Sequence, residues 1–136
     1  MVDCIFCKLI SGELPSYKIF EDDKYLVILD RFPTVKGMTL VISKNHLSSY
    51  FAEVEDEILS EMMALSKKIA KQLDSKLEGV LRTMLEVEGL DVDHLHFKLL
   101  PAYENEKIDH LKRLELSDDE MEEIRKEIVG ESRALV

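Results

Sequence analysis

The stretch DVDHLHFKLLP, residues 91–101, places His94, His96 and Lys98 at every second position, with Leu95, Phe97 and Leu99 between them. Side chains alternate across a β-strand, so the first three share one face and the three apolar residues share the other. A strand of this kind rests its apolar side on a core and turns two imidazoles and an ammonium the other way. Such a face suits phosphate binding, metal ligation or nucleophilic attack. The alternative is a solvated strand face on which histidines happen to alternate. Pro101 is expected to close the strand, because proline has no N–H to give to the ladder.

Outward from this stretch, GVLRTMLEV (79–87) reads as a second strand, joined to the first through a turn at Glu88 and Gly89. Nearer the N-terminus, YKIFED (17–22) and KYLVILD (24–30) read as a hairpin about Asp22 and Asp23, and MTLVISK (38–44) follows a loop from Pro33 to Gly37. Between the two groups, Val54, Ile58, Met62, Leu65, Ile69 and Leu73 recur at spacings of three and four, which predicts an amphipathic helix from about Glu53 to Leu77. Its methionines are expected to fill core space. Ser117 and Glu120 form a capping-box pattern ahead of Met121, Ile124 and Ile128, predicting a C-terminal helix at about 118–130. With no internal repeat or linker, the simplest organisation is a single α+β domain over residues 1–136.

A chain of 136 residues can bury one real core and is short for two. Its 18 Lys and Arg against 28 Asp and Glu leave a net charge of −10, which disfavours broad electrostatic binding to nucleic acid or to an anionic membrane. An anionic ligand therefore needs a local cationic spot. The absence of a long apolar tract or of a basic-then-apolar leader predicts a cytoplasmic protein.

Cys4 and Cys7, the two cysteines, form a C-x-x-C too closely spaced for a long-loop structural disulfide. With His46 and one of the two strand histidines they would make a Cys₂His₂ set, the thiolate and imidazole donors that tetrahedral zinc prefers. The alternatives are two small buried residues or a redox pair, though no strand precedes them as it would in a thioredoxin-like site. His46 closes GMTLVISKNH and, taken alone, reads more readily as a surface or helix-entry residue than as a ligand.

Together, CIFCKLISGELPSYKIFEDD (4–23), LDRFPTVKGMTLVISKNH (29–46) and HLHFKLLP (94–101) resemble the histidine-triad (HIT) family of nucleotide-binding hydrolases and transferases, over a motif-bearing core at 4–101. The resemblance implies a HIT-like fold: a five-stranded antiparallel sheet with one long helix, here joined by a short C-terminal one, and a homodimer in which two sheets become one. In the family's zinc-bearing branch the ligands correspond to Cys4, Cys7, His46 and His94, holding one structural zinc per chain. The second motif histidine, His96, would be the nucleophile that attacks the α-phosphate of a nucleoside phosphoramidate or dinucleoside polyphosphate, giving a nucleotidyl-histidine that water hydrolyses. One ring nitrogen of His96 would be fixed by the His94 carbonyl. Phe6, Leu9, Leu14 and Ile28 correspond to an apolar slot for the base of a purine nucleotide or nucleotide conjugate, and Asp30 to the group that grips the ribose. Taken singly, the four apolar residues read as ordinary core and Asp30 as a turn residue at a strand end.

The chain departs from the family pattern at four places. Lys98 replaces the third histidine, Met38 stands where a histidine is common, Leu90 and Asp91 stand where Gln then Ser or Thr are frequent, and Thr83 replaces an Asn that often touches substrate. Lys98 can donate to a phosphoryl oxygen and supply charge in the transition state, a second catalytic role beside His96, but with a reference pKa of about 10.4 it is a poorer proton shuttle than imidazole. Its ammonium also disfavours protonation of His96. Asp91 would either repel the incoming phosphate or pair with Lys98. Nucleotidyl hydrolase is therefore the leading expectation, and a nucleotide binder with little or no turnover, or a nucleotidyltransferase, are the alternatives. His110, alone in a polar stretch, reads as a surface residue.

Overall fold

The protein was analysed as a computed structural model that describes residues 4–130; the outermost positions of the expected 1–136 domain lie outside them. The elements in chain order are α1 (Ile5–Ser11), β1 (Lys18–Glu21), β2 (Tyr25–Leu29), β3 (Thr39–Ser43), a 3₁₀ turn at Phe51–Glu53, α2 (Asp56–Lys76), β4 (Val80–Glu86), β5 (His96–Tyr103) and α3 (Asp118–Val129). The strands form one antiparallel sheet in the order β1-β2-β3-β5-β4. The α+β class and the five strands expected from the sequence are present.

Every residue of β2 and β3 is buried. Unbroken apolar runs need cover on both sheet faces, and each face has its own core. Tyr25, Val27, Leu29, Val41, Leu95, Phe97 and Leu99 meet Met62, Ile69 and Leu73 of α2 and Met121, Ile124 and Ile128 of α3. On the opposite face Leu26, Ile28, Leu40 and Ile42 meet Cys4 and Phe6. The alternation in residues 94–99 therefore does what its pattern requires: the three apolar side chains lie on the helix side. No described helix is long and apolar enough to cross a membrane.

The second core depends on α1, which the sequence pattern did not suggest. The Cys4 Sγ accepts the Cys7 N–H at 3.2 Å as the helix cap, and Gly12, at φ +86°, ends it by donating its N–H to the Leu9 carbonyl. Two further boundaries differ from expectation. The long helix starts at Asp56, because residues 51–53 form the separate 3₁₀ turn. Strand β5 begins at His96 and continues through Pro101 to Tyr103, with Pro101 opposite Thr83. β3 begins at Thr39, opposite Leu99, so past Leu99 β5 borders β4 alone, and a missing N–H breaks no ladder on the β3 side.

The connection from β4 to β5 is longer than a tight turn at Glu88 and Gly89. Residues 87–95 run beside Ser49, whose hydroxyl donates to the Gly89 carbonyl at 2.9 Å and whose N–H donates to Asp93 Oδ1 at 3.2 Å. Gly89 has φ +60°, and a Cβ there would lie 2.6 Å from the Ser49 carbonyl oxygen. Only glycine fits.

At α3 the capping box is complete. Glu120 N–H donates to Ser117 Oγ at 3.1 Å, and Ser117 N–H donates to Glu120 Oε1 at 2.8 Å. Ser117→Ala leaves the Glu120 N–H without that acceptor, and the expected cost is about 1 kcal/mol. Urea unfolding should show it as a lower midpoint with an unchanged slope.

Candidate functional site

The sheet face opposite α2 carries the chemistry. His94 lies in the bend before β5, fully buried, and its Nε2–H donates to the Ser43 carbonyl at 2.6 Å. That bond leaves Nδ1 with its lone pair free, and Nδ1 points at Cys4, Cys7 and His46. It is 3.4 Å from Cys4 Sγ, 3.6 Å from Cys7 Sγ and 3.2 Å from His46 Nδ1, while Cys7 Sγ is 3.2 Å from His46 Nδ1. All four donor atoms lie within 4.8 Å of one another.

A tetrahedral zinc with bonds of about 2.0–2.3 Å sets its ligand atoms roughly 3.3–3.8 Å apart. The four measured separations are close to that range, so the donor set and its geometry both fit the metal. The carbonyl on His94 Nε2 is the outer partner that a ligating histidine normally has. The Cys7 thiol is pushed up to about 11, first by its hydrogen bond with Cys4, then by burial and by electrostatic repulsion from Cys4. A dication between them reverses that balance. Burial holds His94 below the usual imidazole range, against the pull of the Ser43 carbonyl, and a neutral imidazole is the form that ligates.

His96 stands two residues on. Its Nδ1 is 2.7 Å from the His94 carbonyl, which can only accept, so Nδ1 carries the proton and Nε2 the lone pair. The ring packs edge-on against Phe6, with centroids 4.8 Å apart. Burial shifts its pKa down, with the Lys98 ammonium adding to the shift and the His94 carbonyl opposing it. The result is an oriented imidazole whose neutral form is favoured.

Phe6, on which this ring packs, also lines an open cleft of about 710 Å³ together with Leu9, Leu14, Ile28 and Asp30. The cleft brings together the five residues singled out for a nucleoside. Asp30 Oδ1 accepts the Phe32 N–H at 2.9 Å, which fixes the carboxylate at the strand end. The far wall was missed in the sequence: Tyr17, Arg31, Phe32, Asp118, Asp119 and Glu122 complete it. Tyr17 O–H donates to Asp118 Oδ1 at 2.7 Å, and Arg31 donates to Asp118 Oδ1 at 3.3 Å and to the Leu116 carbonyl at 2.9 Å. Nothing local in LELSDDEMEEI signals that α3 lies across a cleft formed 90 residues earlier; the opposite charges of Arg31 and Asp118 are the only hint.

Lys98 does not pair with Asp91. Its Nζ is 2.9 Å from Glu88 Oε2, and the other oxygen of that carboxylate accepts the Leu90 N–H at 2.5 Å. The turn locked by Gly89 and Ser49 brings Glu88 back over β5, and Asp91 is exposed. Thr83 faces α2 and donates to Asp74 Oδ1 at 2.7 Å, while Met38 is buried with Val35 and Leu100, so both serve the fold. Leu90 is exposed, and so is His110, whose Nδ1 lies 3.9 Å from Glu86.

The HIT domain pattern matches residues 11–105, about seven-tenths of the chain. The chain belongs to the HIT domain family. An uncharacterised HIT-like protein of Methanocaldococcus jannaschii is 33% identical over 129 residues, covering 93% of this chain and 99% of the relative. An adenosine 5′-monophosphoramidase of Saccharomyces cerevisiae is 37% identical over 98 residues, covering 72% of this chain and 61% of the yeast protein. A Zn-bound histidine triad family protein of Mycobacterium smegmatis superposes with a TM-score of 0.78 at 27% identity, over 93% of this chain and 90% of that one. In this HIT chain Lys98 follows His94 and His96 at the next alternate position, and Glu88 holds it.

Proposed function

We propose that this HIT protein is a zinc-bearing nucleotidyl hydrolase that works through His96. The observation that carries the reading is the His96 imidazole, tied at Nδ1 to the His94 carbonyl, free at Nε2 and packed on Phe6, which lines a cleft large enough for a nucleoside. The names of the yeast and Mycobacterium smegmatis relatives support the substrate class and the metal.

In this reading a purine lies among Phe6, Leu9, Leu14 and Ile28, and Asp30 accepts from the ribose hydroxyls. The Nε2 lone pair attacks the α-phosphorus; a P–N bond to His96 forms as the bond to the leaving amine or nucleotide breaks, and the leaving group takes that bond pair, an amine also taking a proton from solvent. Water then cleaves the P–N bond, releasing a nucleoside monophosphate and restoring the imidazole. Lys98 donates to a non-bridging oxygen as charge builds. Zinc held by Cys4, Cys7, His46 and His94 would be structural. Those ligands fix His94, and the His94 carbonyl in turn orients His96.

Incubation with an adenosine phosphoramidate should give turnover and, when quenched early, a mass increase of one nucleotidyl group on a peptide containing His96. No turnover and no adduct, with this substrate or a dinucleoside polyphosphate, would sink the reading. The Glu88 contact to Lys98 favours one alternative, a nucleotide binder with weak chemistry. Lys98→His separates the two: hydrolysis within about tenfold of the wild type supports a working lysine, and turnover that appears only in the variant supports the binder.

The homodimer belongs to the same proposal. β4 is an edge strand with Leu81, Met84 and Leu85 exposed, and Met63 of α2 is exposed as well. An apolar edge is a template for pairing with a second copy. Sedimentation at twice 15.7 kDa is the expected result.

A further inference from the structure

Lys98 follows His96 at the next alternate position of β5, in a chain whose net charge is −10. This cation is engaged. Lys98 is largely buried and its Nζ lies 2.9 Å from Glu88 Oε2, while Gly89 and Ser49 hold the turn that presents this carboxylate. Bound to Lys98, the carboxylate occupies a donor that a phosphoryl oxygen would use.

We propose that Glu88 is a specificity-determining residue that makes the site favour substrates of low total charge. The inference rests on the nucleotidyl-hydrolase reading and narrows its substrate class. A nucleoside phosphoramidate monoester carries one negative charge at phosphorus, and it can share the Lys98 donors with Glu88, because an ammonium has three N–H groups. A dinucleoside polyphosphate brings several negative charges. To use Lys98 it must displace a carboxylate that also holds the Leu90 N–H. The chain therefore favours nucleoside phosphoramidates over dinucleoside polyphosphates, and Glu88 acts through Lys98 to set that preference.

The test compares kcat/KM for adenosine 5′-phosphoramidate and for diadenosine tetraphosphate at fixed ionic strength, in wild type, Glu88→Gln, Lys98→Met and the double variant. Wild type should prefer the phosphoramidate. Glu88→Gln should move the ratio toward the tetraphosphate by about tenfold, and that shift should vanish when Lys98 is also Met. Glu88→Asp, which keeps the charge, should stay near wild type. An unchanged ratio in Glu88→Gln, or a shift of the same size in the Lys98→Met background, overturns the proposal, the latter by showing a diffuse charge effect. If no protein turns over either substrate, the hydrolase reading fails separately. Calorimetry with AMP and adenosine then decides Glu88: the AMP-to-adenosine affinity ratio rises in Glu88→Gln if the carboxylate competes with phosphate, and stays fixed if it does not.

Discussion

His96→Asn is expected to lower kcat/KM for an adenosine phosphoramidate by at least about 10⁴-fold and to abolish the nucleotidyl adduct. The choice of asparagine matters, because the site ties His96 down besides offering it as the proposed nucleophile. Its Nδ1–H donates to the His94 carbonyl at 2.7 Å, and its ring packs on Phe6 at 4.8 Å in a position only 4% exposed. Alanine would remove all of this, leave a cavity, and confuse lost chemistry with lost packing. The asparagine amide can make the same donation to His94, so the variant should bind AMP within a few-fold of wild type and keep its zinc. What it lacks is the second ring nitrogen. Substantial turnover in His96→Asn, or an adduct that persists in it, would move the nucleophile elsewhere. A collapse of AMP binding together with activity would show that the substitution had disturbed the cleft and not the chemistry alone.

The residues legible in the sequence were those whose neighbours are set by strand or helix period. His94 to Leu99 sort onto two faces because the period is two, and the α2 stripe lands on the core because its period is near 3.6. What escaped depends on contacts across the fold. Helix α1 spans seven residues, too few to stand alone, and is held by a Cys4 cap and by packing of Phe6 against β2 and β3. The pairing of Lys98 with Glu88 instead of Asp91 turns on Gly89 lying against Ser49, a residue 40 positions earlier. The far wall of the cleft is likewise a tertiary event. The capping box at Ser117 announced that α3 exists and said nothing of where it docks.

Cys4→Ser separates the metal from the fold, because the proposed zinc site gives Cys4 two roles that serine divides. Its sulfur caps α1 by accepting the Cys7 N–H, and serine is among the best caps, so that role survives. Its other role, beside His94 Nδ1 at 3.4 Å, needs a thiolate, which serine cannot supply at neutral pH. The variant should fall from about one zinc per chain to nearly none, and lose about 4 kcal/mol of stability where free zinc in the wild-type assay is about a thousand times its dissociation constant. Thermal unfolding should then start roughly 10–15 °C lower. Wild type stripped with a chelator should match the variant in stability, since both keep the cap and lack the metal. Turnover should fall in both, because His94, released from three ligands, no longer fixes the carbonyl that holds His96. Zinc content unchanged in Cys4→Ser would show that the ligand set is wrong. Zinc lost without any change in stability would show that the helix cap and the core beneath Phe6 hold this corner without the metal.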